Sequence, residues 1–148
     1  MRVKIDMPSA EQLIRRLGLD KDGDVQRFHT MNINRRIGKF MPHLTGALET
    51  KMKRLRGNTQ VEIAGPYARY QFMGKVMVNA KTGKGPALIP DVGYRYRKGT
   101  VLKATDRNLE YTTTFNPQAG PHWDRALVAA EGRLLEADLQ VYVDRRKR

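Results

Sequence analysis

The acidic turn from Asp20 to Asp24 is the first group of side chains whose spacing could do chemistry. Its alternating carboxylates resemble the start of a calcium-binding loop, in which several oxygens converge on one hard cation. The sixth position of the loop, however, is Val25 where glycine is required, and the twelfth is Met31 where a bidentate glutamate is required. We therefore predict a helix-capping turn with Asp24 as the cap and no metal site.

The other combinations with catalytic potential each lack a required partner. Three histidines are far apart and have no zinc-ligand spacing: His29, His43 and His122. The only serine, Ser9, lies in a helix-capping sequence and has no nucleophile motif around it. The stretch from Lys81 to Gly85 resembles a phosphate-binding loop, but Gly and Pro follow its second lysine where Ser or Thr is required. We predict no enzymatic activity and no catalytic, metal or cofactor site.

Aromatic and basic side chains alternate in two segments of the chain, near residues 67–75 and 94–98. This mixture can stack nucleic-acid bases, but Tyr and Arg also anchor protein interfaces. We favour a subunit interface, formed by Tyr67, Arg69, Tyr70, Gln71, Phe72, Lys75, Tyr94 and Tyr96. A second set of basic side chains is predicted to face DNA: Arg54, Arg56, Lys81, Lys84, Arg95, Arg97 and Lys98.

The charge of the chain indicates a polyanion as one possible partner. There are 28 Lys and Arg residues against 15 Asp and Glu, which gives a net charge of +13 over 148 residues. Because the charge is dispersed, proximity to nucleic acid and a merely solvated basic surface both remain open. The length predicts one domain, residues 1–148, and the absence of cysteine is compatible with assembly in a cytosol. No signal peptide and no membrane span are predicted.

Two helices are predicted in the first third of the chain. Ser9 and Gln12 form a capping box for a short helix that Gly18 ends, with an apolar stripe of Leu13, Ile14 and Leu17. A longer helix follows Asp24 and ends before Pro42, and its apolar residues recur at helical spacing: Val25, Phe28, Ile33, Ile37 and Phe40. Arg35 and Arg36 are predicted to lie away from that stripe.

Short strands are predicted in the middle of the chain. Leu48 to Leu55 and Gln60 to Ala64 read as a hairpin around Gly57 and Asn58. A helical turn from Tyr67 to Met73 ends at Gly74 and precedes a strand at Val76 to Val78. We expect Asn79 to Arg97 to be mobile or to contact a neighbour. The alternation from Leu109 to Phe115 predicts a further strand.

A long helix closes the chain. Pro121 lies at its start, and one face is predicted to carry Trp123, Ala126, Leu127, Ala130, Leu134, Ala137 and Val141. The fold class is α+β, a small antiparallel sheet flanked by a long N-terminal helix and this C-terminal helix, which is expected to lie across the sheet. Residues 144–148 form a basic tail.

Three segments resemble proteins of tailed phages. MPHLTGAL, residues 41–48, resembles the P-x-x-T-G-x-L signature of neck and tail-completion proteins. AGPYARYQFMGKVMV, residues 64–78, is similar to a segment of the minor capsid proteins of tailed phages and of prophages in Gram-positive bacteria. GPHWDRA, residues 120–126, is similar to the aromatic and acidic start of the closing helix in that family.

The resemblance implies a structural virion protein, a head-tail connector or tail-completion subunit in the neck. It further implies a homo-oligomeric ring that is assembled in the bacterial cytoplasm and that meets adjacent neck, portal-side and tail proteins. Within the motif, Thr45 would cap and Gly46 would redirect the backbone from helix to sheet. Contact with packaged DNA would be non-specific and there would be no contact with a membrane. The alternative is a basic nucleic-acid-binding module.

Overall fold

The computed structural model describes Lys4 and residues 8–43, 53–65 and 67–146. The predicted turn at Thr45 and Gly46 and the start of the first predicted strand lie outside these residues. A 3-10 turn, Gly38–Phe40, extends the second helix. The elements are α1 (Ala10–Arg16), α2 (Asp24–Ile37), β1 (Lys53–Arg56), β2 (Gln60–Ile63), α3 (Ala68–Met73), β3 (Lys75–Asn79), β4 (Ala87–Ile89), β5 (Gly93–Arg95), β6 (Leu102–Asn108) and α4 (Trp123–Arg146).

The first helix begins and ends as its sequence predicts. The Ser9 hydroxyl accepts from the Gln12 amide N–H, the Gln12 side chain accepts from the Ser9 N–H, and Gly18 follows the helix with φ +67°. The predicted cap of α2 is wrong, because Gly23 is the N-cap and Asp24 is the first helical residue. The Asp24 carboxylate instead accepts from the Tyr142 hydroxyl at 3.0 Å and pairs with Arg146 at 2.8 Å.

The α+β class is confirmed, and the described strands pair as three separate antiparallel ladders of two strands each. The predicted hairpin is confirmed as β1 and β2, with Lys53 opposite Ile63 and Gly57 in the turn at φ +63°. The strand predicted at residues 76–78 is confirmed within β3, which pairs with β6. The hairpin of β4 and β5 lies inside the long connection between those two strands.

The strand predicted from Leu109 to Phe115 is wrong, since β6 ends at Asn108 and the next residues are irregular. Pairing with β3 runs from Asn79 opposite Leu102 to Lys75 opposite Asn108. β3 therefore has no residue left to pair with residue 109 and those after it. An alternating sequence does not form a strand without a neighbouring strand to pair with.

The short helix α3 confirms the prediction for residues 67–73. Gly74 ends it in the left-handed region with φ +72°, and its N–H donates to the Tyr70 carbonyl oxygen. A Cβ at this position would lie 2.9 Å from the Cβ of Pro121, at the entrance to α4. Glycine is thus required both by the backbone angle and by the close approach of the two segments.

Gly74→Ala is expected to lower the free energy of unfolding by about 1–3 kcal/mol, the usual cost of a strained backbone position. Urea denaturation followed by circular dichroism measures this loss. Gly57→Ala is the matched control, because Gly57 also has a positive φ, +63°, but has open space where its Cβ would be. Equal losses in the two variants would show that the contact with Pro121 contributes nothing.

The core lies between α2 and α4, so α4 packs against a helix and does not lie across a sheet as predicted. The 3-10 turn contributes Phe40 and the following residue Met41, and β2 and α3 contribute Ile63 and Phe72 at the edges. The buried cluster consists of Ile37, Phe40, Met41, Trp123, Leu127 and Leu135.

The predicted apolar face of α4 is correct only in its first turns. Trp123, Leu127 and Leu135 are buried, whereas four residues of the predicted face are exposed: Ala130, Leu134, Ala137 and Val141. The buried residues are separated by four and by eight positions. In a helix of 3.6 residues per turn, every four residues shift the buried position by about 40° around the helix axis. The contact line with α2 therefore turns away from the apolar stripe as the helix proceeds.

That drift brings two carboxylates of α4 against Arg36, which contradicts its predicted position away from the packed face. The guanidinium lies 2.9 Å from Glu131 and 2.6 Å from Asp138, and only 14% of the Arg36 side chain is exposed. Asn32, itself buried, donates to Asp138 at 2.8 Å, and Lys39 pairs with Glu131 at 2.6 Å. The two long helices are consequently joined by an ion-pair network as well as by the apolar cluster.

Candidate subunit and nucleic-acid interface

The predicted interface residues between Tyr67 and Lys75 lie on α3 and at the start of β3. The Phe72 ring packs edge-on against the rings of His122 and Trp123, with centroid distances of 5.1 Å to each. The backbone N–H of His122 donates to the Phe72 carbonyl oxygen at 2.8 Å, directly before α4. Phe72 thus connects α3 to the core, while Arg69 on the same helix is exposed.

Two of the predicted tyrosines hold the β3–β6 ladder. The Tyr70 hydroxyl donates to the Leu102 carbonyl oxygen at 3.0 Å, and the Tyr96 hydroxyl donates to that of Met77 at 2.9 Å. Burial raises the pKa of Tyr96, and the nearby phenol of Tyr67 raises it further. These side chains therefore meet around one ladder.

The side chain of Lys75 and the backbone of Gln71, both in the predicted set, also have partners within the chain. The Lys75 ammonium donates to the Asn108 side chain at 2.8 Å, across the ladder. The Gln71 carbonyl oxygen accepts a hydrogen bond from the Tyr111 hydroxyl, whose pKa is raised by burial. Apart from the exposed Arg69, this part of the predicted interface is half-buried by its own chain.

Tyr94 stands apart from the others because it lies on the hairpin of β4 and β5, residues 87–95, which we term the arm. Tyr94 is 71% exposed. The neighbouring apolar residues Leu88, Ile89 and Val92 are also exposed. The β1–β2 ladder packs on α2 and the β3–β6 ladder on α3, whereas among the described residues no helix packs on the arm to a similar extent. The segment predicted to contact a neighbour thus contains a formed hairpin with open apolar side chains.

The predicted DNA-facing residues are all exposed and fall in two regions, one on β1 and one in or beside the arm. Arg54 and Arg56 lie on β1, where Arg56 is 3.5 Å from Glu62 of the paired strand. The other five lie in or beside the arm: Lys81, Lys84, Arg95, Arg97 and Lys98. Exposed cations of this kind attract phosphates by releasing the counterions around them.

Within the described ranges, no group of three or more His, Cys, Asp or Glu side chains is placed to hold a metal ion. In the same part of the chain, no helix combines the length and the apolar content that crossing a membrane requires. The acidic turn after α1 is explained by its contacts with α4, through Asp24, Tyr142 and Arg146.

Comparison with protein-family models, with curated proteins and with solved structures found no match. The tailed-phage resemblance therefore rests on the motif residues alone. Of these, residues 67–74 form α3 and its glycine end, and residues 120–126 form the entrance to α4. The two motif segments contact each other through Gly74 and Pro121 and through Phe72 and Trp123.

The exposure of two surfaces was not predicted from the sequence. One is the open apolar stripe of α1, and the other is a groove between α2, β1 and α4. The stripe of α1 was visible in the sequence, but nothing in the pattern indicated that the chain leaves it uncovered. The groove depends on contacts between residues about 100 positions apart and has no local signal.

Proposed function

We propose that the chain is a structural subunit of a tailed-phage virion, a head-tail connector or tail-completion protein without catalytic activity. Copies of it form a ring in the neck, assembled in the bacterial cytoplasm, that joins the capsid to the tail. The partners are sister subunits and the adjacent neck, portal-side and tail proteins. The motif resemblance supports this proposal, and the arm is the structural observation that carries it.

The arm is built to be covered by another surface. An isolated two-stranded hairpin is marginally stable in water unless a further strand or a helix packs on it. Here the apolar side chains of the hairpin point to solvent, with Leu88 64% and Val92 55% exposed. In a ring, the neighbouring subunit or the next ring supplies the missing layer.

The basic residues beside the arm fit the same position. A channel that passes packaged DNA meets phosphates at every angle and needs no sequence recognition. Five exposed Lys and Arg residues around the arm provide such contacts: Lys81, Lys84, Arg95, Arg97 and Lys98. A net charge of +13 makes identical copies repel one another, so a ring of them needs compensating negative charge, which the phosphates of the packaged DNA would supply.

The direct test is electron microscopy of particles made without this protein. Loss of a connector yields filled or leaking heads and unjoined tails. Complete, infectious particles formed in its absence would contradict the proposal.

Replacing Leu88 and Tyr94 of the arm by serine is expected to block tail joining while the subunit stays folded, because both side chains lie outside the core. The infectious titre and the fraction of tailed particles measure the effect, and thermal unfolding checks the fold. Val128→Ser is the matched control, because it makes the same apolar-to-polar change at a 65% exposed position on α4. Normal tail joining by the double variant would remove the arm from the proposed contact.

A basic nucleic-acid-binding module is the second candidate, and the exposed cations of the arm favour it. It requires tight binding of duplex DNA or RNA by the isolated monomer, with an affinity that falls steeply as salt is added. For duplex DNA, the logarithm of the binding constant falls by about 0.9 per phosphate contact for each tenfold rise in salt concentration. The connector requires only weak binding that is insensitive to sequence. A salt titration of the isolated chain on a labelled duplex separates the two.

A further inference from the structure

The helix α1 is fully formed, but its side chains are not buried by the part of the chain that the structure describes. It has a capping box at its start, yet none of its residues is buried. The apolar residues Leu13, Ile14 and Leu17 are between 43% and 48% exposed, and Leu19 after the helix is 49% exposed. A helix of 7 residues is unstable in water without a packed face, so this stripe requires a cover.

The position of α1 is fixed at its C-terminal end. The Leu17 carbonyl oxygen accepts from the Arg146 guanidinium at 2.7 Å, and that of Gly18 accepts from the Gln26 N–H at 3.3 Å. The turn that follows is closed so tightly that a Cβ on Gly23 would lie 2.1 Å from the Gly18 oxygen. These contacts hold α1 against the ends of α2 and α4 with its apolar stripe facing outward.

A groove of about 680 Å³ lies between α2, β1 and α4 and offers apolar side chains that could cover the stripe of α1. Its apolar lining comes from Phe28, Met31, Leu55, Val141 and Tyr142. Met31 and Leu55 are 47% and 42% exposed, so these side chains are open to an incoming apolar group. Val141 belongs both to the groove and to the exposed stripe of Ala130, Leu134 and Ala137, so the stripe borders the groove. Charged side chains also line the groove: Arg35, Asp138 and Arg145.

One polar atom in the lining has an unmet requirement. Asn34 lines the groove, and its side-chain oxygen is buried without a hydrogen-bond donor in the part of the chain that the structure describes. A buried acceptor that lacks a donor is unfavourable, and a donor that enters the groove would satisfy it. The last turn of α1 carries Arg15 and Arg16, whose guanidinium groups are exposed donors.

We propose that α1 of one copy docks in the groove between α2, β1 and α4 of a neighbouring copy. The occupant is a second copy of this chain, because the chain itself presents both an uncovered helix and an open groove. The helix carries an apolar stripe and charges of both signs, Glu11, Arg15 and Arg16. The groove has a lining that is half apolar and that also carries charges of both signs. The two surfaces are different patches, so the contact is head to tail and repeats around a closed ring. This inference rests on the ring assembly proposed above and names the surfaces that form it.

Cysteine cross-linking tests the contact without background, since the chain has no cysteine of its own. Ile14→Cys marks α1, and Val141→Cys marks the groove. The two single variants are mixed and oxidised, and the rate of forming the mixed disulfide-linked dimer is measured. We expect it to be at least about tenfold faster than with Ile14→Cys and Val128→Cys, because docking raises the local concentration of one thiol near the other.

Val128 is a suitable control because it is more exposed than Val141, 65% against 49%, and lies about 140° away around α4. The masses of the unmodified chain in solution are recorded in parallel. Equal rates at the two positions, while the unmodified chain forms rings, would overturn the docking of α1 but leave the ring proposal standing. A disulfide formed within one chain of the Ile14→Cys, Val141→Cys double variant would show that α1 covers its own groove, which also overturns the inference. A chain that stays monomeric at every concentration, and in which the rates are equal, contradicts both proposals.

Discussion

Replacing Leu127 by alanine is expected to lower the free energy of unfolding by about 2–5 kcal/mol, the range for removing a large aliphatic side chain from a packed core. Leu127 is 2% exposed and lies in the cluster that joins α4 to α2. Two terms make up the loss: the transfer free energy of the removed atoms, which is no longer gained on folding, and the free energy of the cavity that the rigid surroundings cannot fill. Because the chain has a single tryptophan, Trp123, in the same cluster, its fluorescence reports this transition directly in a urea titration.

Leu134→Ala is the matched control for that measurement. It makes the same substitution two turns further along α4, at a position that is 52% exposed, and is expected to change the stability by less than about 0.5 kcal/mol. The comparison decides which face of α4 is packed, since both residues belong to the apolar face that the sequence predicts. A larger loss for Leu134→Ala would mean that the helix is rotated from the orientation described here.

Signals that lie within a few residues of one another were the ones that predicted structure correctly. The capping box at Ser9, the turn around Gly57 and the end of α3 at Gly74 each need only their immediate neighbours in the chain. Their physical basis is local, namely the satisfaction of free N–H groups at a helix start and the freedom of glycine at positive φ. Tertiary contacts did not alter them.

The errors concern features that a distant segment decides. The alternation after Leu109 is typical of a strand, but β3 ends its pairing at Asn108. On α4, the stripe of Ala130, Leu134, Ala137 and Val141 has the regular spacing of a packed face, yet α2 packs along a line with steps of four residues. The sequence of residues 109–115 does not show where β3 ends, and the sequence of α4 does not show along which line α2 packs on it.

The way in which the candidate residues group together could be predicted only in part, for the same reason. Tyr67, Tyr70 and Tyr96 do come together, because the ladder of β3 and β6 brings distant segments side by side. Tyr94 and Phe72 separate from them, one onto the arm and the other into the core. The composition indicated a surface rich in aromatic and basic groups. Which of these groups hold the β3–β6 ladder and which lie on the arm is visible only in the folded chain.

The ion-pair network was missed because charged residues are normally assigned to the solvated face of a helix. Arg36 lies beside Glu131 and Asp138 only because the contact line along α4 turns toward them. Each carboxylate has a second partner, Lys39 for Glu131 and Asn32 for Asp138, so the charges are shared across two turns. A half-buried network of this kind fixes how two helices pair, because sliding either helix by one turn would separate all the partners.

The stability of the protein is expected to depend on pH through this network. Hydrogen bonds from Lys39 and Arg36 lower the pKa of Glu131 below its ordinary value of 4.5, and those from Asn32 and Arg36 lower the pKa of Asp138. A carboxylate whose pKa is lower in the folded state binds protons more readily when unfolded. Its contribution is therefore complete above the unfolded pKa and is lost as the pH falls through the folded one.

Arg36→Met is accordingly expected to destabilise the protein at pH 7 by more than about 1 kcal/mol, the upper end for an exposed pair, because it leaves two half-buried carboxylates with one partner fewer each. Near pH 3 the difference from the unmodified chain should shrink, since protonation removes the charges that Arg36 compensates. Urea denaturation at the two pH values measures both effects. Arg35→Met controls for the loss of a positive charge, because Arg35 is exposed and bonds only to Asn32 among the contacts described. A penalty for Arg36→Met that is the same at both pH values would mean that Arg36 acts by packing its aliphatic stem between the helices, and that the carboxylates of α4 are stabilised by Lys39 and Asn32 alone.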